Sequence, residues 1–268
     1  MSVGDIAELA ALCLSQEHYV NQLFVQVPEE VWDSQITQTP AWVHRYFLPP
    51  EQAVRQFQED TAFIDAKSEE PIYENMQTDF AAFLCKLKAM SKETIGEVQG
   101  LLQGDGTLTL DLGDETPEDF ANGLAILRAS HAENRARTTY GQGMYALVSA
   151  GQRGNDEGYF RAVSIDPTVQ CHPVLIERLS REAMAGRSSF AGKLRKAATE
   201  GPPGKIDKEL GQLRFVLAFF REIGVLQKLS DAQRYEFFCQ RLELYSHTDK
   251  NPKAALCTFI KRWEANLV

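Results

Sequence analysis

The sequence predicts an all-α protein, a bundle-like assembly of about ten to twelve helices with at most one short β element near residues 107–112. Three observations predict it. Apolar side chains recur at three- and four-residue steps along most of the chain. Helix-start patterns, in which a proline or a short polar residue precedes an acidic or amide side chain, recur with them. Strict polar–apolar alternation occurs in a single stretch, Thr107-Leu108-Thr109-Leu110-Asp111-Leu112, between Asp105-Gly106 and Gly113-Asp114.

In chain order, Ile6, Leu9, Ala10, Leu12 and Cys13 set an apolar face that Tyr19, Leu23 and Phe24 continue after an expected break near Ser15. An irregular segment follows from Val27 to Pro50, with prolines at 28, 40, 49 and 50. Pro49-Pro50-Glu51 then opens a helix, because proline suits the first turn and an acid suits its positive end. Val54, Phe57, Phe63 and Ile64 are its expected buried side. The spacing of Ile72, Met76, Phe80, Phe83, Leu84, Leu87, Ile95 and Val98 predicts a long helix from Pro71 to Leu102.

Thr116-Pro117-Glu118-Asp119 predicts a capped helix start. Phe120, Leu124 and Leu127 form the stripe of that helix. Ala121, Ala125, Ala129, Ala132 and Ala136 allow a neighbour to approach closely. Beyond Gly141-Gln142-Gly143 a helix continues or restarts at Met144, Gly151 to Asn155 is a loop, and Asp166-Pro167 ends the next short helix. Pro173 opens another helix through Leu175, Ile176, Leu179 and Met184. Gly201-Pro202-Pro203-Gly204 is a linker, dividing an expected main domain of residues 1–200 from a three-helix segment of 205–268 packed on it. In that segment Leu210, Leu213, Val216, Leu217 and Phe220 form an amphipathic stripe that Gly224 ends. Ser230-Asp231-Ala232-Gln233 is a capping box for a helix through Tyr245. Asn251-Pro252 opens the last helix, with Leu256, Phe259, Ile260 and Trp263 buried.

Composition narrows the function classes. No apolar run reaches the roughly 18 residues of a membrane span, and the first residues lack the basic and apolar regions of a secretory signal, so a cytoplasmic protein without membrane contact is expected. Five widely spaced cysteines without a Cys-x-x-Cys suit reduced thiols. The net charge of −9 hides a division: residues 1–127 carry 22 acidic and 6 basic side chains, residues 128–268 carry 15 and 22. The acidic half either folds onto the basic half or leaves it free for an anionic partner.

Three segments are candidate sites. In the first, the stripe of Phe120, Leu124 and Leu127 turns polar at His131, Asn134 and Thr138, with Arg135, Arg137, Tyr140 and Gln142 alongside. If a helix restarts at Met144, its free amides and the two arginines suit a phosphate or carboxylate. The bland alternative is an internally satisfied polar network. The second is the aromatic segment of Trp32, Trp42 and Tyr46, with His44, Arg45 and Phe47, which suits either a partner-binding wall or the closed end of a helical core. The third is the basic run Arg178, Arg181, Arg187, Lys193, Arg195 and Lys196, continuing through Lys205 and Lys208 to Arg234 and Arg241. It suits nucleic acid or plain solvated helix faces.

No metal-ligand spacing, cofactor motif or nucleophile elbow occurs, so neither a metal nor a cofactor is expected. Residues 154–167 resemble the second helix of a tetratricopeptide repeat and are echoed at 186–197, with Phe160 and Phe190 in matching places. The echo covers two short helices and slips register at Pro167, so no repeat array is claimed. The leading expectation is a non-catalytic binding or scaffold protein with a protein partner. The alternatives are nucleic-acid binding through the basic half, and an enzyme acting on a small anion near residues 131–142.

Overall fold

The computed structural model describes residues 3–32, 39–69, 92–103, 116–203, 210–245 and 251–268. Among them are thirteen α-helices and no strand: α1 Val3–Phe24, α2 Glu29–Trp32, α3 Ala41–Tyr46, α4 Pro50–Glu69, α5 Lys92–Leu102, α6 Pro117–Tyr140, α7 Met144–Gln152, α8 Asp156–Ile165, α9 Pro173–Met184, α10 Ser189–Glu200, α11 Gly211–Glu222, α12 Asp231–Tyr235 and α13 Pro252–Ala265. The all-α expectation holds. The expected strand at 107–112 and the first part of the helix expected from Pro71 lie outside the described residues.

The helix-start signals act as read. Thr116 Oγ1 accepts the amide of Asp119 at 3.1 Å. Ser230 and Gln233 form the reciprocal capping box. Asn251 Oδ1 accepts the amide of Ala254 at 3.2 Å, with Pro252 in the first turn. Each satisfies backbone donors that a helix start otherwise leaves unpaired. Other expectations differ: the loop expected from Gly151 begins later, since α7 runs to Gln152. No break occurs near Ser15, because that residue is solvent-exposed and its hydroxyl need not compete for the backbone. The helix after Ser230 also changes character: Leu242 donates to Phe237 O at 3.0 Å, a five-residue step, so the chain passes from α12 into a π-type turn over Glu236–Arg241.

Contacts cluster the chain into two units, neither a continuous stretch. Unit 1 is Met1–Tyr19, Ala132–Pro167 and Arg181–Val268, and unit 2 is Val20–His131 and Thr168–Ser180.

Unit 1 is built on α11. Leu213, Phe215, Val216, Leu217, Ala218 and Phe220 are all buried, so α11 is apolar most of the way round and occupies an interior position. Around it pack Ile6, Ala10 and Cys13 of α1, Phe237 and Phe238 of the π turn, and Leu256, Ile260 and Trp263 of α13. Each fully buried side chain of this kind contributes about 1.5–3 kcal/mol. In the same unit α7 and α8 form a tight helical hairpin. The ring of Tyr159 lies over Gly151, where a Cβ would stand 2.6 Å from it. α8 then meets α10 through Phe160 and Phe190, ring centroids 5.5 Å apart.

Unit 2 holds its aromatics inside. Trp42 is buried and donates its indole N–H to Thr168 Oγ1 at 3.1 Å. Here α4 corrects the sequence reading: Val54 and Phe57, expected inside, are 60% and 72% exposed. Its half-buried stripe is instead Ala53, Gln56, Asp60 and Phe63. Asp60 pairs with Arg45 of α3 at 2.6 Å, Gln56 donates to Asp60, and Arg45 also reaches Asn122. A carboxylate that meets a guanidinium this closely sets the helix's rotation, and Val54 and Phe57, off the face that carries Ala53, Gln56, Asp60 and Phe63, turn outward. On α9 likewise Leu175 is buried while Ile176 and Met184 are exposed.

His172 gives unit 2 a pH dependence. Its ring stacks on Phe47 at 3.6 Å, stands edge-on to His44, and accepts the amide of Val174 on Nδ1. Burial, with help from His44, lowers its pKa from 6.5 to about 4. The fold therefore favours the neutral ring. The stability this group contributes is full above pH 6.5 and is lost as the pH falls toward 4. Because the ring is half-buried, the slope is a fraction of the roughly 1.4 kcal/mol per pH unit that one proton supplies. His172→Phe should flatten the denaturation midpoint between pH 6.5 and 4 relative to the parent, as read by urea titration. Parallel curves for the two proteins would refute it.

Candidate functional site

The polar segment after Leu127 resolves into separate arrangements. In unit 2, the His131 ring stacks on Phe24 at 3.7 Å and its Nδ1 lies 3.0 Å from Asn21 Oδ1. The remaining candidates belong to unit 1.

There the organising residue is Glu133, which the sequence reading passed over. Its carboxylate accepts the backbone amides of Met144 and Tyr145, both at 2.9 Å, and lies 3.4 Å from Arg137 one turn on. Arg137 also pairs with Glu222 of α11 at 3.0 Å. The start of α7 thus has its anion, supplied by the protein itself. Gly143 carries no capping side chain, so the first amides of α7 need an acceptor from elsewhere. Gly143 also leaves the room, since a Cβ there would sit 2.0 Å from a Glu133 carboxylate oxygen.

Burial pushes the Glu133 carboxyl above its ordinary value, and Glu222 adds to this, against the pull of Arg137 and the two amides. Burial alone would lower Arg137, but Glu133 and Glu222 outweigh it and hold the guanidinium firmly charged. Burial likewise raises the Cys13 thiol nearby, only partly offset by Arg137, which keeps it in the unreactive thiol form.

The other residues of the segment have distinct surroundings. Gln142 is buried, and its amide pairs both ways with the backbone of Val268, donating to the carbonyl at 3.0 Å and accepting from the amide at 2.7 Å. Thr138 packs its methyl against Gly211, and its buried hydroxyl finds no hydrogen-bond partner among the described residues. Asn134 is half-buried and Arg135 exposed. The signal that would have found Glu133 was present: an acid four residues before an arginine, ahead of a helix start with no cap of its own.

Trp32, Trp42 and Tyr46 are all buried in unit 2. Trp32 stacks on Phe24 and meets Trp42 edge-on, with the Arg128 guanidinium 5.2–6.0 Å from the three rings. They fill the interior of that unit. In the basic run of unit 1, Arg181, Arg187, Lys193, Arg195 and Lys196 are exposed. Arg187 pairs with Glu182, and Lys196 lies 3.8 Å from Glu200. Among the described residues no group of three or more His, Cys, Asp or Glu is placed to hold a metal ion, and no helix is long and apolar enough to cross a membrane.

Tyr140, the last candidate, leads to a concave site. An open groove of about 430 Å³ in unit 1 runs between α8 and the end of α10, lined by Tyr140, Glu157, Phe160, Arg161, Ser164, Ala197, Glu200 and Gly201-Pro202-Pro203. Gly201, at φ +66°, ends α10 and turns the two prolines across its end. Ser164 gives its proton to Arg161 O at 2.7 Å, so the Tyr140 hydroxyl is the donor in its 2.7 Å bond to Ser164. Burial raises the Tyr140 pKa, against Ser164 and Arg161, so the phenol stays protonated. The Arg161 guanidinium lies 5.3 Å from the centre of the Tyr140 ring. It donates Nε to Glu157 at 3.1 Å and Nη1 to Asn266 O at 2.8 Å. Aromatic and proline faces beside a held charge suit recognition of a chain segment.

No protein-family model matches the chain, and no curated protein or solved structure proved similar to it.

Proposed function

We propose that this chain is a non-catalytic helical binding protein that receives a segment of a protein partner in the groove between α8 and α10. One observation carries the reading. The charges of the polar segment at Glu133 and Arg137 are paired inside unit 1, whereas the groove beside them is open and lined by aromatic, proline and charged side chains together. A trough of that composition holds an extended chain by ring faces and orients it by charge. Among the described residues Cys13, Cys171, Cys239 and Cys257 form no disulfide, which is compatible with the cytoplasmic expectation.

A photo-crosslinking residue at Ala197, in the groove wall, is expected to capture a discrete protein from lysate that the same residue at exposed Lys253 does not. Identical adducts at both positions, or none, would count against the reading. Nucleic-acid binding is the competing reading, favoured by the exposure of Lys193, Arg195 and Lys196 on α10. It demands binding that weakens steeply with salt.

A further inference from the structure

The groove's charge arrangement says which segment it takes. Arg161 presents five N–H donors. Nε is taken by Glu157 and Nη1 reaches Asn266 O, while Nη2 has no partner among the described residues. A guanidinium held at Nε and Nη1 by protein, with a tyrosine ring centre 5.3 Å away, has lost most of its freedom, so a carboxylate meeting its open Nη2 orders little more. Lys193 adds a second cation, 5.9 Å from the centre of the Phe160 ring. The faces of Tyr140, Phe160 and the two prolines then supply an apolar bed beside these charges.

Resting on the binding reading above, we infer that the groove is a site for an acidic peptide segment. One Asp or Glu side chain pairs with Nη2 of Arg161, and an adjacent proline or apolar residue lies between Phe160 and Pro202-Pro203. A nucleic acid fits less well. Its evenly spaced phosphates need a row of cations, and here Glu157 and Glu200 interrupt the lining while Lys196 is paired with Glu200. Glu157 has a second role. At 3.1 Å from Arg161 Nε and half exposed, it is the internal carboxylate that the ligand's own carboxylate must share the guanidinium with.

The test is fluorescence polarisation on the full chain with short end-blocked peptides: an acidic proline-containing sequence, its Asn/Gln counterpart, and a lysine counterpart. The acidic peptide should bind at least about tenfold more tightly than the neutral one, in line with a charge-assisted hydrogen bond. Arg161→Gln should remove that preference. Glu157→Gln should tighten acidic-peptide binding several-fold, a gain that no folding defect produces.

Equal binding of acidic and neutral peptides, both lost in Phe160→Ala, would overturn the acidic assignment and leave the groove reading standing. Acidic-peptide binding unchanged in both Phe160→Ala and Arg161→Gln would place the site elsewhere and sink both readings, as would no binding of any peptide. A single-stranded oligonucleotide that displaces the peptide at comparable concentration would overturn the peptide assignment. Circular dichroism melts of each variant separate loss of fold from loss of site.

Discussion

Glu133→Ala is expected to destabilise the protein by about 3–5 kcal/mol, the loss typical when one partner of a buried charge pair is removed. The carboxylate has three tasks at once. It accepts two amides at the start of α7 and shares Arg137 with Glu222. Its removal leaves two backbone donors unpaired and a four-fifths-buried guanidinium with one carboxylate instead of two. The apparent Tm should fall by roughly 10 °C. Glu133→Gln keeps one acceptor oxygen and should lose less. Lys196→Ala, which breaks an exposed pair at 3.8 Å, should change stability by less than about 1 kcal/mol. A Glu133→Ala protein that melts within a degree or two of the parent would show that water caps α7 equally well.

Gly158→Ala is expected to be nearly as damaging for a different reason. A Cβ at this position would stand 2.3 Å from the carbonyl oxygen of Leu147 and 2.8 Å from the amide nitrogen of Gly151. Both are backbone atoms of α7, so no rotamer change relieves the clash and the hairpin of α7 and α8 must open. Opening it lifts Tyr159 off Gly151 and loosens a core built by close approach. Overpacking of this kind costs about 1–3 kcal/mol or more, which exceeds the roughly 0.5–1 kcal/mol that alanine gains over glycine within a helix. Gly192 in α10 is the matched control. Nothing stands within 4 Å of its Cβ position, so Gly192→Ala should stabilise by about that helical gain. Chemical denaturation of the two variants should move in opposite directions, and the same sign for both would refute the packing argument.

The candidate site was legible only in part. Residues 131–142 were singled out because an apolar stripe turned polar, and that reading led to Arg137, Gln142 and Tyr140. It missed Glu133, because the stripe rule looks along one face while the carboxylate acts across a turn, onto amides eleven and twelve residues further on. It also missed the groove, whose walls come from α8, the end of α10 and Tyr140, segments far apart in sequence. Trp32 and Trp42 stood out as aromatic residues in irregular backbone. Their burial depends on Phe24, Arg128 and Thr168, which no local pattern connects.

What the sequence by itself determined is local. Caps at Thr116, Ser230 and Asn251, the all-α class, and the inward stripes of α11 and α13 follow from hydrogen bonds and spacings that close within a few residues. What only the tertiary structure decided is which way ambiguous faces turn and which charges remain open. On α4 a pairing of Asp60 with Arg45 outweighs the burial of Val54 and Phe57. At the start of α7 a carboxylate from α6 occupies the amides that looked ready for a ligand. The physical reason is common to both: charge pairing depends on distance through space, and that distance is set by how helices meet rather than by the order of residues along them.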